Sequence, residues 1–411
     1  MLEATRRTGA TILGHHFHRF TPHGVSGVVV LAESHFAIHT WPEHGYAALD
    51  LFTCGRTLTP DACLPYLVEA LGSGRQTTRR ISRGGEGPGE QVAAATSVVR
   101  AWPHLHRESV GPGRVLALRM TRPWLFDGVE TFPELGGMQV RTQIGEFAEF
   151  GRGLVMDGQV QLAEATDAVY TSALVFPAAL ASRSRADWLI VGGGDGAAVR
   201  EALRFRDCVS VRLIDISAEV IARTQALIPS FWAGAQADPR LTIERRDAWT
   251  ALRERVAAGQ QADIVVFDLT DPQDEEHRPF PEVSAGHLYT AEAFALAARS
   301  LKPGGVFVAQ TQELSSLRWQ AHARLRGLVH AAFRWAYSYR VYVESFGCWQ
   351  SFIVASNEPG AWSPVPDEAA MPTLERVYDG DARAFWSSEW HRSLFVLPPD
   401  VRRALSDPLR S

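Results

Sequence analysis

Residues 188–196 read Trp-Leu-Ile-Val-Gly-Gly-Gly-Asp-Gly, and this stretch decides the fold. A short apolar run bounded by glycines suits a strand buried on both faces. The glycines let the chain turn sharply into a helix and bring backbone close to a ligand. Open α/β sheets bind their ligands outside the carboxyl ends of such strands. A tight turn with no ligand would use the same glycines, so the surroundings must decide. Strand-like runs recur at Val211–Ile214, Leu241–Ile243, Ile264–Phe267 and Val306–Gln310, with helical stretches between most of them. That alternation predicts an α/β fold with a doubly wound, mostly parallel sheet.

Carboxylates recur at the strand ends. Asp195 lies within the glycine turn, and Asp215 ends the next strand 20 residues further on. A carboxylate there can accept both hydroxyls of a ribose. Asp247, followed by Ala248, comes after the third strand, where a side chain can reach a nucleobase edge; Asp268 and Asp271 close the fourth. Asp195 argues against a dinucleotide, whose pyrophosphate it would repel, and against a methyl donor that keeps its carboxylate. A nucleoside sulfonium that has lost that carboxylate, decarboxylated S-adenosylmethionine, meets the requirement. Asp268 and Asp271 can then hold an acceptor amine, with Asp268 taking its proton.

Composition removes other chemistries. The 411 residues suggest two or three domains, and 46% hydrophobic with 21% charged residues is ordinary for a globular protein. The net charge of −5 gives no reason to expect nucleic acid. Cys54, Cys63, Cys208 and Cys348 are scattered without metal-ligand spacing, so no metal is expected. With no apolar run of membrane-spanning length and no signal peptide, the expected location is cytoplasmic, with no membrane partner. Lys302 is the only lysine, in a Leu-Lys-Pro-Gly-Gly turn with no reactive neighbour evident. Pyridoxal phosphate, held as a lysine Schiff base, and a phosphate-binding P-loop are both implausible.

The predicted organisation is a first unit over 1–83, a linker over 84–112 beginning Gly-Gly-Glu-Gly-Pro-Gly-Glu, a small β-domain over 113–178 and the doubly wound domain over 179–405. Within the first unit, 25–55 form a nucleophile-rich hairpin that carries Ser26, Glu33, Ser34, His35, His39 and Cys54. Each such residue taken alone is more often structural. A serine-hydrolase elbow, Gly-x-Ser-x-Gly, is absent.

From about Gln139 to Leu405 the chain resembles the spermidine synthases, or polyamine aminopropyltransferases. The resemblance is carried by Leu-Val-Met-Asp-Gly (154–158), Gln161, Tyr170, Gly-Gly-Gly-Asp-Gly (192–196), Asp215, Asp-Ala (247–248), Asp-Leu-Thr-Asp-Pro (268–272), Leu-Tyr (288–289) and Ser-Phe-Gly (345–347). It implies a Rossmann-like domain in which Gly192 and Gly194 line the donor, Asp195 and Tyr170 flank its aminopropyl group, and Asp215 meets ribose. It further puts Asp247 and Ala248 at adenine and makes Asp268 the proton acceptor beside Asp271. A family glutamine on the β-domain corresponds to Gln139 or Gln143. Thr171-Ser172 stands where the family has a His-Glu or Gln-Glu pair, and Phe176 where it has histidine, which points to a different acceptor amine or to weak turnover.

From Gly9 to Gly55 the chain resembles the bacterial and archaeal S-adenosylmethionine decarboxylase proenzymes. That resemblance implies an α+β domain in which the Ser34 hydroxyl attacks the Glu33 carbonyl, the chain splits, and a pyruvoyl group remains at position 34. Ser26 and His39 match positions that assist processing, and Cys54 matches the acid that protonates the product carbon. Members of this family open with a Gly-x-His-Leu strand and the start of a helix about 30 residues before the equivalent of Met1; lacking it, the sheet would carry an exposed edge. The two resemblances imply a fused pathway: S-adenosylmethionine is decarboxylated and its aminopropyl group passes to putrescine or another diamine, in a homo-oligomer. Two rivals remain open. A pyruvoyl enzyme can act on another amino acid such as arginine or ornithine, and the C-terminal half can bind a nucleoside without turnover.

Overall fold

The computed structural model describes residues 1–21, 23–32, 34–53, 60–73, 75–82, 93–100, 105–109, 115–121, 124–270, 286–359, 362–365, 375–380 and 386–406. The chain forms two compact units, one of Met1–Arg107 with Ala117–Pro123, the other of Glu108–Leu116 with Trp124–Ser411.

The first unit is a six-stranded antiparallel sheet backed by two helices. Its strands are β1 (Thr11–Arg19), β2 (Val25–Ala32), β3 (Ser34–Trp41), β4 (Tyr46–Thr53), β5 (Arg75–Ser82) and β6 (Ala93–Arg100), in the order β1-β2-β3-β4-β6-β5. Alternation sets the faces. Val29, Leu31, Phe36, Ile38, Ala47, Leu49 and Leu51 are buried together with Ala4 of α1 (Leu2–Arg7) and Leu67 of α2 (Leu64–Ala70). Phe17 lies directly opposite Gly27, and its ring fills the space where a side chain at 27 would stand. Residues 93–100, assigned to the linker from sequence, instead pair with β4 and β5. Ala-Ala-Ala-Thr-Ser-Val-Val-Arg shows no clear alternation, so its strand character comes from its partners.

β7 (Leu105–Ser109) and β8 (Val115–Arg119) form a two-stranded ribbon. The small β-domain is a meander of β9 (Phe126–Phe132), β10 (Met138–Phe147), β11 (Gly151–Met156) and β12 (Gln159–Ala163). It leads into α3 (Asp167–Ala181), buried along most of its length. Pro177 within α3 cannot donate to the carbonyl of Ala173. The Tyr339 hydroxyl donates to that carbonyl instead, at 2.8 Å.

The second unit's main sheet has seven strands: β13 (Asp187–Gly192), β14 (Ser210–Asp215), β15 (Leu241–Arg245), β16 (Ala262–Asp268), β17 (Leu301–Glu313), β18 (Trp335–Val343) and β19 (Cys348–Ser356). The order is β15-β14-β13-β16-β17-β19-β18, with β15 to β17 parallel and β19 and β18 antiparallel. Helices α4 (Ala197–Leu203), α5 (Ala218–Leu227), α6 (Pro229–Trp232), α7 (Ala248–Ala257), α8 (Ala291–Arg299) and α9 (Gln320–Ala332) connect the strands. The expected doubly wound sheet is therefore present. Lys302 is not the isolated residue read from sequence: it opens β17 and pairs with Asp187 and with Asp263, joining the starts of three strands.

Gly192 sits at φ +75, and a side chain there would come within 2.2 Å of the Asp268 carbonyl oxygen. The nearest obstacle is the Asp268 backbone, which cannot yield as a flexible side chain could, and the Leu269 side chain follows at 2.8 Å. We expect Gly192→Ala to lower unfolding free energy by more than about 2 kcal/mol in urea titrations; a loss below about 0.5 kcal/mol would contradict this packing.

Candidate active sites

The parallel topology brings the predicted carboxylates to one sheet edge. Asp215 sits between two backbone donors: Gly194 N–H reaches Oδ2 at 2.9 Å and Ser217 N–H reaches Oδ1 at 2.7 Å. A side chain on Gly194 would stand 2.7 Å from Asp215 Oδ2, so this approach requires glycine. Asp195 accepts from Ala197 N–H at 2.8 Å. Asp268 accepts from the Tyr170 hydroxyl at 2.7 Å, and its own carbonyl accepts from Gly193 N–H at 2.8 Å. Phe346 and Phe352 pack on the Tyr170 ring, each with centroids 5.6 Å away.

Each of the three carboxylates keeps some exposure, so they line a recess and are not sealed within a core. Burial pushes Asp268 up to about 8, the charge of Asp195 adding to it, the Tyr170 hydroxyl opposing and Asp215 adding further. Burial likewise raises Asp195 to about 6, against the Ala197 N–H, with Asp167 adding and Arg200 opposing. Asp215 is raised to about 6 by burial, opposed by the Ser217 and Gly194 N–H groups. Arg200 is buried and committed elsewhere, bonded to Asp167 at 2.6 and 3.1 Å and to Glu201 at 2.8 Å.

Asp247 is placed at the N-terminus of α7, next to Ala248. It caps the helix through Thr250 N–H at 2.8 Å and Trp249 N–H at 3.3 Å, and it also binds the Thr250 hydroxyl and His287 Nε2. Burial would raise it, but His287 and Thr250 outweigh that and hold it well below the usual carboxylate range. Asp271 lies outside the described residues.

Thr171 and Ser172, the expected departures, are buried and bonded within their own helix, Thr171 to Asp167 at 2.8 Å and Ser172 to the Val169 carbonyl at 3.4 Å. Phe176 packs among Phe205, Tyr378 and Trp386. Gln143 is buried on β10 beside Asp127, whereas Gln139 is exposed and reaches Thr131. Three residues not singled out from sequence also frame the site. Glu130 of β9 accepts from Ser217 Oγ and from Ala218 N–H at 3.2 Å, which ties the β-domain to the start of α5. His287 binds Asp247, and Gln310 donates to the Leu269 carbonyl just after Asp268.

In the first unit, Ser26 Oγ and His39 Nδ1 are 2.8 Å apart, on neighbouring positions of β2 and β3. Ser34 pairs with Leu31 and Thr53, and its hydroxyl is buried with no hydrogen-bond partner among the described residues. Ser34 shares the inner face with Phe36 and Ile38, whereas His39 is an odd number of positions away and points to the other face. At the usual rise of about 3.3 Å per residue the two are roughly 16 Å apart along β3. One chain therefore does not bring Ser34 to Ser26 and His39. Glu33 and Cys54 lie outside the described residues. Cys63, Cys208 and Cys348 are in no disulfide among the described residues. Among the described residues no three metal-ligating side chains cluster, and no helix is long and apolar enough to cross a membrane.

Fold and site together define a doubly wound domain with a carboxylate-rich edge at the strand ends, the place where open α/β sheets bind ligands, in one chain with an antiparallel α+β unit. Residues 167–361 match the spermine/spermidine synthase domain model, and residues 1–84 match the S-adenosylmethionine decarboxylase model. The polyamine aminopropyltransferase of Aeropyrum pernix is 34% identical over 234 residues, covering 57% of this chain and 69% of that protein. Polyamine aminopropyltransferase 1 of Hyperthermus butylicus is 33% identical, covering 60% and 81%. The chain belongs to the polyamine aminopropyltransferase family. Its first part is 57% identical over 84 residues to an S-adenosylmethionine decarboxylase proenzyme of Acidithiobacillus ferrooxidans, spanning 63% of that protein. The fold is shared with the crystal structure of spermidine synthase from Thermotoga maritima, with a TM-score of 0.62 and 22% identity over 74% of this chain and 94% of that one.

The raised Asp268 carries a stability consequence. Its folded pKa lies above the unfolded value, so its contribution is full at low pH and is lost as pH rises through about 8. Asp268→Asn mimics the protonated form. We expect this variant to melt higher than the parent at about pH 8, with the difference vanishing near pH 4. A lower melting temperature at both pH values would contradict the assigned burial.

Proposed function

We propose that this chain is a bifunctional enzyme of polyamine biosynthesis. Its first unit processes itself at Ser34 and decarboxylates S-adenosylmethionine. Its second unit transfers the aminopropyl group of that product to a diamine, putrescine giving spermidine. The observation that carries the second step is the Asp268–Tyr170 pair set among Asp195 and Asp215.

The recess suits a donor that is cationic at sulfur and at its terminal amine, with Asp215 on ribose and Asp195 beside the aminopropyl group. The Tyr170 and Phe346 rings, which keep a little exposure, offer aromatic surface to the sulfonium, with Phe352 packed behind Tyr170. Bound cations favour the ionised form of Asp268 and prepare it as a base. The acceptor ammonium gives one proton to Asp268. Its nitrogen lone pair then attacks the methylene carbon on sulfur; the carbon–sulfur bond breaks, and its electron pair stays on sulfur as the thioether of methylthioadenosine. The Tyr170 hydroxyl holds the Asp268 carboxylate in one orientation throughout. On this reading Asp247 and Ala248 are the candidates for contact with the base, and Asp271 is a candidate for binding the acceptor amine.

For the first step the residues present fit a pyruvoyl group made from Ser34. The Ser34 hydroxyl is buried and has no hydrogen-bond partner among the described residues, which suits attack on the preceding carbonyl. Such a group supplies a carbonyl that draws electrons from the breaking carboxylate bond. The Ser26–His39 pair can accept and return a proton, and Cys54 is the candidate donor to the product carbon. Because His39 faces away from Ser34 of its own chain, Ser26 and His39 of a second copy complete the processing site. This reading requires a homo-oligomer.

Purified protein given S-adenosylmethionine and putrescine should release carbon dioxide and form spermidine and methylthioadenosine. Ser34→Ala should abolish the first step yet leave transfer from supplied decarboxylated donor, and Asp268→Asn should lower transfer by roughly 10²–10⁴-fold. No product with any diamine would sink the second step. An uncut chain lacking a hydrazine-reactive carbonyl would sink the first. Co-expression of Ser34→Ala and His39→Ala chains should restore cleavage of the His39→Ala chain; an uncut mixture would refute shared processing.

A further inference from the structure

Beside Asp268 the backbone departs from regular structure. Phe267 of β16 pairs with Ala309 of β17, which places Gln310 level with Asp268. Between Gln310 and Glu313 the pairing of β17 with β19 slips, and Gln312 takes φ +61, a left-handed conformation rare for a residue with a side chain. Strained backbone of this kind concentrates at functional sites and persists only where its surroundings hold it.

Its effect is visible in the side chains. The slip sets Gln350 of β19 opposite Glu313, and Gln350 Nε2 donates to Gln310 Oε1 at 2.7 Å. Gln312 N–H donates to the same oxygen at 3.3 Å. Gln310 Nε2 donates to the Leu269 carbonyl and to the Tyr289 hydroxyl, the latter at 3.0 Å. The Gln310 amide thus has two donors on its oxygen and two acceptors on its nitrogen, which fixes its orientation. Both glutamines are almost wholly buried, at 2% and 4% exposure, and a satisfied buried network specifies one arrangement.

We infer that Gln350 is a positioning residue for the transfer step: it holds Gln310 in the orientation that pins the Leu269 carbonyl, and so sets the segment that leaves Asp268 toward the acceptor. Without the Gln350 donor the Gln310 amide loses a reason to keep its nitrogen on Leu269. The segment beyond Asp268 then samples positions from which the acceptor nitrogen is misaligned. The donor side, built on Gly194, Asp195 and Asp215, does not depend on this relay. The inference rests on the aminopropyl-transfer reading proposed above.

The test is a double-mutant cycle with Gln350→Met and Gln310→Met, each close in shape to glutamine, in the full-length chain. We expect Gln350→Met to lower kcat/KM for the diamine about tenfold. Direct binding of methylthioadenosine should stay within about twofold of the parent, because that half of the recess is untouched. The double variant should be no worse than Gln310→Met alone, as members of one relay are not additive. Equal loss of nucleoside binding and diamine turnover would mark the pair as merely structural and overturn the inference, as would losses that multiply in the double variant. Thermal melting reports whether a variant is folded. If Gln350→Met does not fold, Gln310→Glu, which keeps an acceptor but loses the donor to Leu269, must show the same diamine-selective loss or the inference fails. A parent protein that transfers nothing would refute the underlying reading instead.

Discussion

Three carboxylates at the edge of one parallel sheet repel one another, and much of the second unit follows from that fact. Two unit charges 4 Å apart interact by about 4 kcal/mol at an effective dielectric near 20. Burial is the largest reason that Asp195, Asp215 and Asp268 are all raised, and repulsion from neighbouring carboxylates adds to it. The buried guanidinium that bears on Asp195, Arg200, is already committed to Asp167 and Glu201. Backbone N–H groups of Gly194, Ala197 and Ser217 soften the repulsion without removing it. An incoming cation is therefore met by a site with an electrostatic debt already in place, and its binding and the ionisation of Asp268 reinforce one another.

Topology holds that cluster together. Parallel strands all end on the same side, so Gly192, Asp215 and Asp268, each the last residue of its strand, are brought to one edge with no long-range design beyond strand order. The glycines then serve a spatial need. Gly192 passes against the Asp268 backbone, and Gly194 passes against the Asp215 carboxylate. Tyr170 enters from outside the sheet on α3, where Pro177 and Tyr339 trade one backbone bond for a side-chain bond and keep the helix buried.

The sequence made this edge legible because each element there is local: an apolar run, a glycine turn, then a carboxylate at a fixed spacing. Asp195, Asp215 and Asp268 needed only a parallel sheet to meet. Long-range pairings were not legible. β6 has no alternation of its own; Lys302 finds Asp187 and Asp263 only once three strands align; Glu130 reaches Ser217 from a different sheet. The Gln310–Gln350 bond depends on a bulge whose left-handed residue is a glutamine, which no propensity would suggest. The role expected for Asp247 took no account of the cap it provides to α7. The parity of Ser34 and His39 was readable by counting, because an odd spacing on a strand means opposite faces.

On the proposed reading, the two units are ordered by charge. S-adenosylmethionine carries a carboxylate at the end of its side chain, and the recess would set that group against Asp195, Asp215 and Asp268. Neutralising one of the protein's carboxylates by protonation would relieve part of the repulsion but would cost the base needed for transfer. Removal of the substrate's own carboxylate as carbon dioxide relieves it and leaves the α-ammonium, already present, as the sole charged group at that end, so that contacts there become attractive. A self-made carbonyl in the first unit supplies that removal without pyridoxal phosphate, in a chain whose single lysine is held by Asp187 and Asp263. Selection of the decarboxylated donor then needs no contact dedicated to discrimination. The negative charge that adds to the burial of Asp268 would also disfavour the unprocessed nucleoside.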